Sequence, residues 1–129
     1  MAAAAISRYA SLFDGLVREF LFEPAFREIV RRDLADGRHE NPEQRAHWFT
    51  TAYFHRPEDL ADELDAAGLD LVELVGVEGL AGWLPHLYRR WADVTEQRTI
   101  VEAARLVESE PSLLGLSAHL LAVARAADA

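Results

Sequence analysis

The amino-acid sequence predicts an α/β domain. Apolar residues recur at helical spacing in some segments, β-branched and aromatic runs bounded by glycines fill others, and the two kinds alternate along 129 residues. The predicted order is helix, helix, extended segment, helix, strand, helix, strand. That length allows one core of ordinary size, within the usual ~100–150 residues, but not a complete dinucleotide-type fold with a substrate domain attached.

Each element follows from local signals. Leu12, Phe13, Leu16, Val17, Phe20 and Leu21 repeat at i, i+4 and predict an amphipathic helix over residues 11–22. Pro24 suits a first turn, and Phe26, Ile29, Val30 and Leu34 restart the pattern until Gly37, so two helices are expected to meet at Glu23 and Pro24. A polar loop over residues 37–44 leads into Trp48-Phe49-Thr50-Thr51-Ala52-Tyr53-Phe54, whose composition favours an extended segment. Arg56-Pro57-Glu58-Asp59 opens a helix with Leu60 and Leu64 on one face and Gly68 as its stop. Residues 69–77 read as a strand buried on both faces. A short helix follows near residues 86–91, then a clearer one from Asp93, where Asp93 and Glu96 have capping-box spacing. Residues 117–125 fit either strand or helix by periodicity, and strand is the reading that gives residues 69–77 a partner.

Composition excludes several functions. Thirteen basic residues, all Arg, stand against 22 acids, a formal charge of −9, which argues against nucleic acid and anionic membranes as partners. Residues 1–56 are neutral, with 8 Arg and 8 acids, while residues 57–129 hold 5 Arg and 14 acids and carry the whole excess. With no cysteine, disulfides, thiolate metal sites and cysteine nucleophiles are ruled out, and no signal-peptide or membrane-length apolar run is present, so a cytoplasmic location is expected.

Catalytic motifs are sparse. Gly76, Gly79 and Gly82 follow a strand but lack the G-x-G-x-x-G spacing that lets a backbone approach a pyrophosphate, and a structural turn is the favoured reading. The histidines at 39, 47, 55, 86 and 119 form no i, i+4 pair; His39 with His47 leaves a facultative metal site open, and His119 reads as a satisfied core residue. No serine sits in a nucleophile elbow. The most site-like feature is the cluster Trp48, Phe49, Tyr53, Phe54, His55 and Arg56, which combines rings for stacking with a phenol and an imidazole; packing of a core strand is its plain alternative.

Three stretches resemble class I S-adenosylmethionine-dependent methyltransferases. Tyr53-Phe54-His55-Arg56-Pro57-Glu58-Asp59-Leu60, with Ala67-Gly68-Leu69 and a strand behind it, resembles that family's late aromatic motif, helix and strand. Glu110-Pro-Ser-Leu-Leu-Gly-Leu-Ser-Ala-His-Leu-Leu-Ala-Val-Ala-Arg125 is similar to its final strand in a bacterial subgroup, and Ala3-Ala-Ala-Ile-Ser-Arg-Tyr-Ala-Ser-Leu-Phe-Asp-Gly15 to the end of its fifth strand and the helical insertion after it. The resemblance implies one partial domain: a strand stub over residues 1–10, a helical insertion and loop over 11–47, and the C-terminal strands and helices over 48–129. About three strands of a Rossmann-like sheet are expected.

The resemblance further implies the acceptor-side half of an enzyme that methylates a small molecule by in-line attack on the sulfonium methyl. The family's glycine-rich cofactor loop and following acidic residue have no counterpart here, so no cofactor-binding residue is assigned. S-adenosylmethionine is expected for the complete enzyme but not for this chain alone, as would follow from truncation, a late start or a split gene. Ser7, Arg8 and Tyr9 after the first strand, and Tyr53, Phe54 and His55 before the next helix, are the candidate substrate-binding residues, with Tyr53 or His55 assisting deprotonation. A half-sheet is expected to self-associate through its unpaired edge. The alternative is a non-catalytic α/β interaction or binding module.

Overall fold

A computed structural model describes residues 1–128. The fold is α/β, with one five-stranded mixed sheet in the order β2-β3-β1-β5-β4. The strands are β1 (Ala2–Ser7), β2 (Arg38–His39), β3 (Ala52–His55), β4 (Leu69–Gly76) and β5 (His119–Ala126). β1 and β3 are parallel, whereas β5 runs antiparallel to both β1 and β4 and separates them. The sheet has two strands more than the expected three: β2, and β3 at the end of the segment expected to be extended, short pieces paired antiparallel to each other.

Between β1 and β3 lie α1 (Ala10–Val17), a 3-10 turn at Phe20–Phe22 and α2 (Pro24–Asp36). The first helix is shorter than its apolar pattern suggests. Glu19 takes a left-handed backbone (φ 67°), which folds Phe20 and Leu21 back onto α2 instead of extending the helix. Gly15 makes the close crossing possible, since a Cβ there would lie 2.6 Å from the Phe26 ring. α2 starts on Pro24 and ends at Gly37 in the left-handed conformation, as predicted.

The segment over residues 48–54 is a strand only from Ala52. Trp48 turns inward to pack with Phe26, Ile29 and Val30, while His47 and Phe49 on either side have left-handed backbones (φ 71° and 67°). A second core lies on one face of the sheet, where α3 (Pro57–Ala66) sets Leu60 and Leu64 against Leu120, Ala122 and Ala124 of β5, with Ala3 and Ala5 of β1 alongside.

β4 is not buried on both faces as expected. It is an edge strand paired only with β5, and Leu71 and Val72 are 40% and 60% exposed around a bulge. The opposite face of the sheet is open around Ala2 and Ala4, which are exposed, and Val123, 38% exposed, while Ile6 and Phe54 farther along it border the pocket walled by α1. After β4 come a 3-10 turn (Gly79–Trp83), α4 (Leu87–Trp91), α5 (Val94–Val107) and a last 3-10 turn (Pro111–Leu116). Asp93 caps α5 by accepting from the backbone N–H groups of Thr95 and Glu96, while the Glu96 carboxylate turns to Arg90. Among the described residues, no helix is long and apolar enough to cross a membrane.

Candidate functional site

A pocket of about 230 Å³ opens where β1, β3 and β4 end and β5 begins. Ile6, Phe54 and His119 contribute from the strands, and Trp83 from the turn after β4. One wall is α1, whose Ser11, Asp14 and Arg18 recur at i, i+3 and i+7 and form a polar strip. The rest of the lining is largely an aromatic wall of Phe26, Trp48, Phe49, Phe54 and Trp83, in which Trp83 meets Phe13 of α1 edge to face.

The polar strip is poised. Ser11 Oγ is buried without a hydrogen-bond partner. Burial pushes the Asp14 carboxyl above its ordinary pKa, and the Arg18 guanidinium, 3.5 Å away, opposes that shift. Arg18 also lies over the Phe20 ring at 4.7 Å.

His39 holds the aromatic wall. Its ring stacks on Phe54, with centroids 4.8 Å apart and an interplanar angle of 12°, its Nδ1 meets Asp33 Oδ2 at 2.8 Å, and its Nε2 meets the Trp48 carbonyl oxygen at 2.8 Å. A carbonyl only accepts, so Nε2 carries a proton, and a carboxylate at Nδ1 favours a second. Burial alone would lower the His39 pKa. The bonds to Asp33 and Trp48 and the Asp33 charge outweigh burial and the opposing Arg32, so the pKa is raised. Around this anchor Asn41 ties the loop by donating to the carbonyls of Arg45 and Phe49, and Arg45 covers the Trp48 ring at 4.1 Å.

Of the six residues singled out by sequence, Phe54 lines the pocket. Ser7 is fully buried and donates to the Gly115 carbonyl. Arg8, 4% exposed, donates from Nε to the Phe54 carbonyl at 2.8 Å and from Nη2 to Tyr53 Oη at 3.2 Å and Asp59 Oδ2 at 2.9 Å. Tyr9 packs its ring against Gly115. Tyr53 meets His55 edge to face, and His55 Nε2 lies 3.3 Å from Glu63, with Nδ1 buried and unpartnered. These groups brace β1, β3 and α3 outside the pocket wall. The residues the sequence reading missed are Ser11, Asp14 and Arg18. Their polar stripe on an otherwise apolar helix was the available signal.

The reading of His119 as a satisfied core residue is corrected. His119 is exposed and paired with Glu78, because its side chain falls on the open face of β5. Both ring nitrogens of His39 are committed, and among the described residues no cluster of three or more His, Cys, Asp or Glu is placed to hold a metal. The glycines after β4 form a structural turn: the Gly79 N–H donates to Ser117 Oγ at 2.8 Å, and Gly76 and Gly82 pack against Ser117 and Glu78. That turn offers no open glycine cradle for a cofactor. In comparison with known proteins, no family model matches the chain and no curated protein is significantly similar to it.

Proposed function

We propose that the chain is the acceptor-side portion of an S-adenosylmethionine-dependent methyltransferase acting on a small molecule, with the pocket between α1 and the aromatic wall as its acceptor site. The observation that carries this reading is the pocket's position, at the carboxyl ends of β1, β3 and β4, where open α/β sheets bind their ligands. Two features support it. The segments similar to the family's fifth, following and final strands lie in one sheet as β1, β4 and β5, with the helical insertion building the pocket. The edge of β1 facing β3 is paired only at Ile6 and Ser7, which leaves Ala2 to Ala5 open to the cofactor-bearing strands of such a sheet. The methyl donor would be held by a glycine-rich loop outside these 129 residues.

A second reading, a non-catalytic α/β interaction or binding module, is favoured by the glycine turn after β4 being closed on Ser117 and Glu78. The coding sequence upstream of Met1 separates the two. A strand followed by E/D-x-G-x-G-x-G, in frame or in an adjacent gene, is expected, and the joined polypeptide should bind S-adenosylhomocysteine in calorimetry. Absence of that motif from both places, or failure of the joined protein to bind, leaves the module.

A further inference from the structure

We infer that the pocket takes a neutral hydroxylated aromatic molecule of one or two rings, its ring against the aromatic wall and its hydroxyl on the Ser11, Asp14 and Arg18 strip. This rests on the reading that the pocket holds the small-molecule acceptor, and it names that acceptor's class.

Size sets the first limit. An apolar cavity of roughly 150 Å³ takes benzene, so about 230 Å³ suits a substituted ring or a fused pair. Shape and polarity set the second. Phe49 and the half-buried Trp83 offer accessible ring surface, backed by the buried rings of Trp48 and Phe54, and aromatic pairs gain from offset or edge-to-face contact beyond the area they bury. A saturated ring of equal size forgoes that gain.

The polar strip decides the substituent. Asp14 accepts, Arg18 donates, and Ser11 Oγ does both and is satisfied by nothing in the fold. A carboxylate ligand would be drawn to Arg18 and repelled by Asp14; an ammonium would meet the reverse. A hydroxyl both donates and accepts, so it satisfies the strip without adding a charge. Of the imidazoles in the lining, His39 is paired with Asp33 and His119 with Glu78, so these pairs add no net sign, and His47 is the one without an ion pair among the described residues.

The test is an NMR titration of the 129-residue chain with 2-naphthol, 2-naphthoate and 2-methoxynaphthalene, read on the indole resonances of Trp48 and Trp83. 2-Naphthol should shift both and saturate below about 1 mM. 2-Naphthoate should bind at least ~10-fold more weakly. 2-Methoxynaphthalene keeps the oxygen acceptor and loses the donor hydrogen, so it should weaken by about 10-fold, the lower end for a bond to a charged group. Asp14→Asn should bring 2-naphthol to the same level. Lack of saturable shifts with 2-naphthol, or equal binding of the three probes, overturns the inference, and the probe series does so without depending on any variant's folding. No step needs the cofactor. Binding of 2-naphthol without an upstream cofactor motif keeps this inference and removes the methyltransferase; the motif without binding does the opposite.

Discussion

His39 and Asp33 form a buried pair, Nδ1 to Oδ2 at 2.8 Å, with both side chains at most 1% exposed. The same imidazole donates from Nε2 to the carbonyl of Trp48, whose neighbours His47 and Phe49 have left-handed backbones that non-glycine residues seldom adopt. One side chain thus ties the end of α2 to the loop that walls the pocket. Asp33 Oδ1 has no partner, so the carboxylate depends on His39 to offset its burial.

This pair makes stability depend on pH in a definite direction. The folded His39 pKa lies above its unfolded value of about 6.5, so its stabilisation is complete below that value and is lost as pH rises through the folded pKa. The urea midpoint at about pH 6 should therefore exceed that at about pH 9, and His39→Gln, which cannot titrate, should shrink the difference. Equal midpoints for the parent chain would mean that folding leaves the His39 pKa unchanged, and a higher midpoint at about pH 9 that the fold holds the ring neutral.

Removing one member of the pair is expected to cost more than losing its contact. His39→Ala leaves the Asp33 carboxylate buried and unpaired, a situation that typically costs about 3–5 kcal/mol. The double variant His39→Ala with Asp33→Ala should cost less than the sum of the singles in chemical denaturation. Additive losses would show that the two groups are not coupled.

The sequence made the local punctuation legible because it acts over a few residues. Pro57 begins α3, Asp59 accepts from the Arg56 N–H at 2.9 Å, and Gly37 and Gly68 take the left-handed stops their positions require. What it hid depends on long-range geometry. Asp33 and His39 are six residues apart across a helix end, and no residue pattern marks that they meet. Trp48 looks like part of a strand by composition, yet the space between α1 and α2 takes it instead. Arg8, read as a pocket residue by resemblance, spends its donors on Phe54, Tyr53 and Asp59, which only the pairing of β1 with β3 brings near.

Arg8 provides a test of brace against site. Lysine cannot reproduce a guanidinium that bonds a carbonyl and a carboxylate from different nitrogens. Arg8→Lys should destabilise by about 2–3 kcal/mol, below the full cost of a broken buried pair because Asp59 is 29% exposed. Its folded fraction should bind 2-naphthol with unchanged affinity. A loss of affinity at unchanged stability would instead place Arg8 in the site.

Gly15 carries the crossing of α1 and α2. An alanine Cβ would meet the Phe26 ring at 2.6 Å, and Phe26 is 2% exposed within the core shared with Trp48. Gly15→Ala should therefore destabilise by about 1–3 kcal/mol, despite alanine's better helix propensity. Thermal melting checks the sign, and a stabilised variant would show that the two helices separate freely.

The last prediction concerns the open side of the sheet. Ala2 to Ala5 have backbone groups unpaired toward β3, and the face formed by Ala2, Ala4 and Val123 has no helix over it. An unpaired edge beside a flat apolar face invites pairing with another chain, and charged side chains on such an edge are the usual protection. Here the edge residues are alanines, which offer none. Sedimentation velocity should show association that grows with concentration, and Ala4→Lys with Val123→Lys should suppress it while leaving α3 and its core on the opposite face undisturbed. If the lysine variant associates as the parent does, contact runs through another surface, with exposed Leu106 of α5 the next to change.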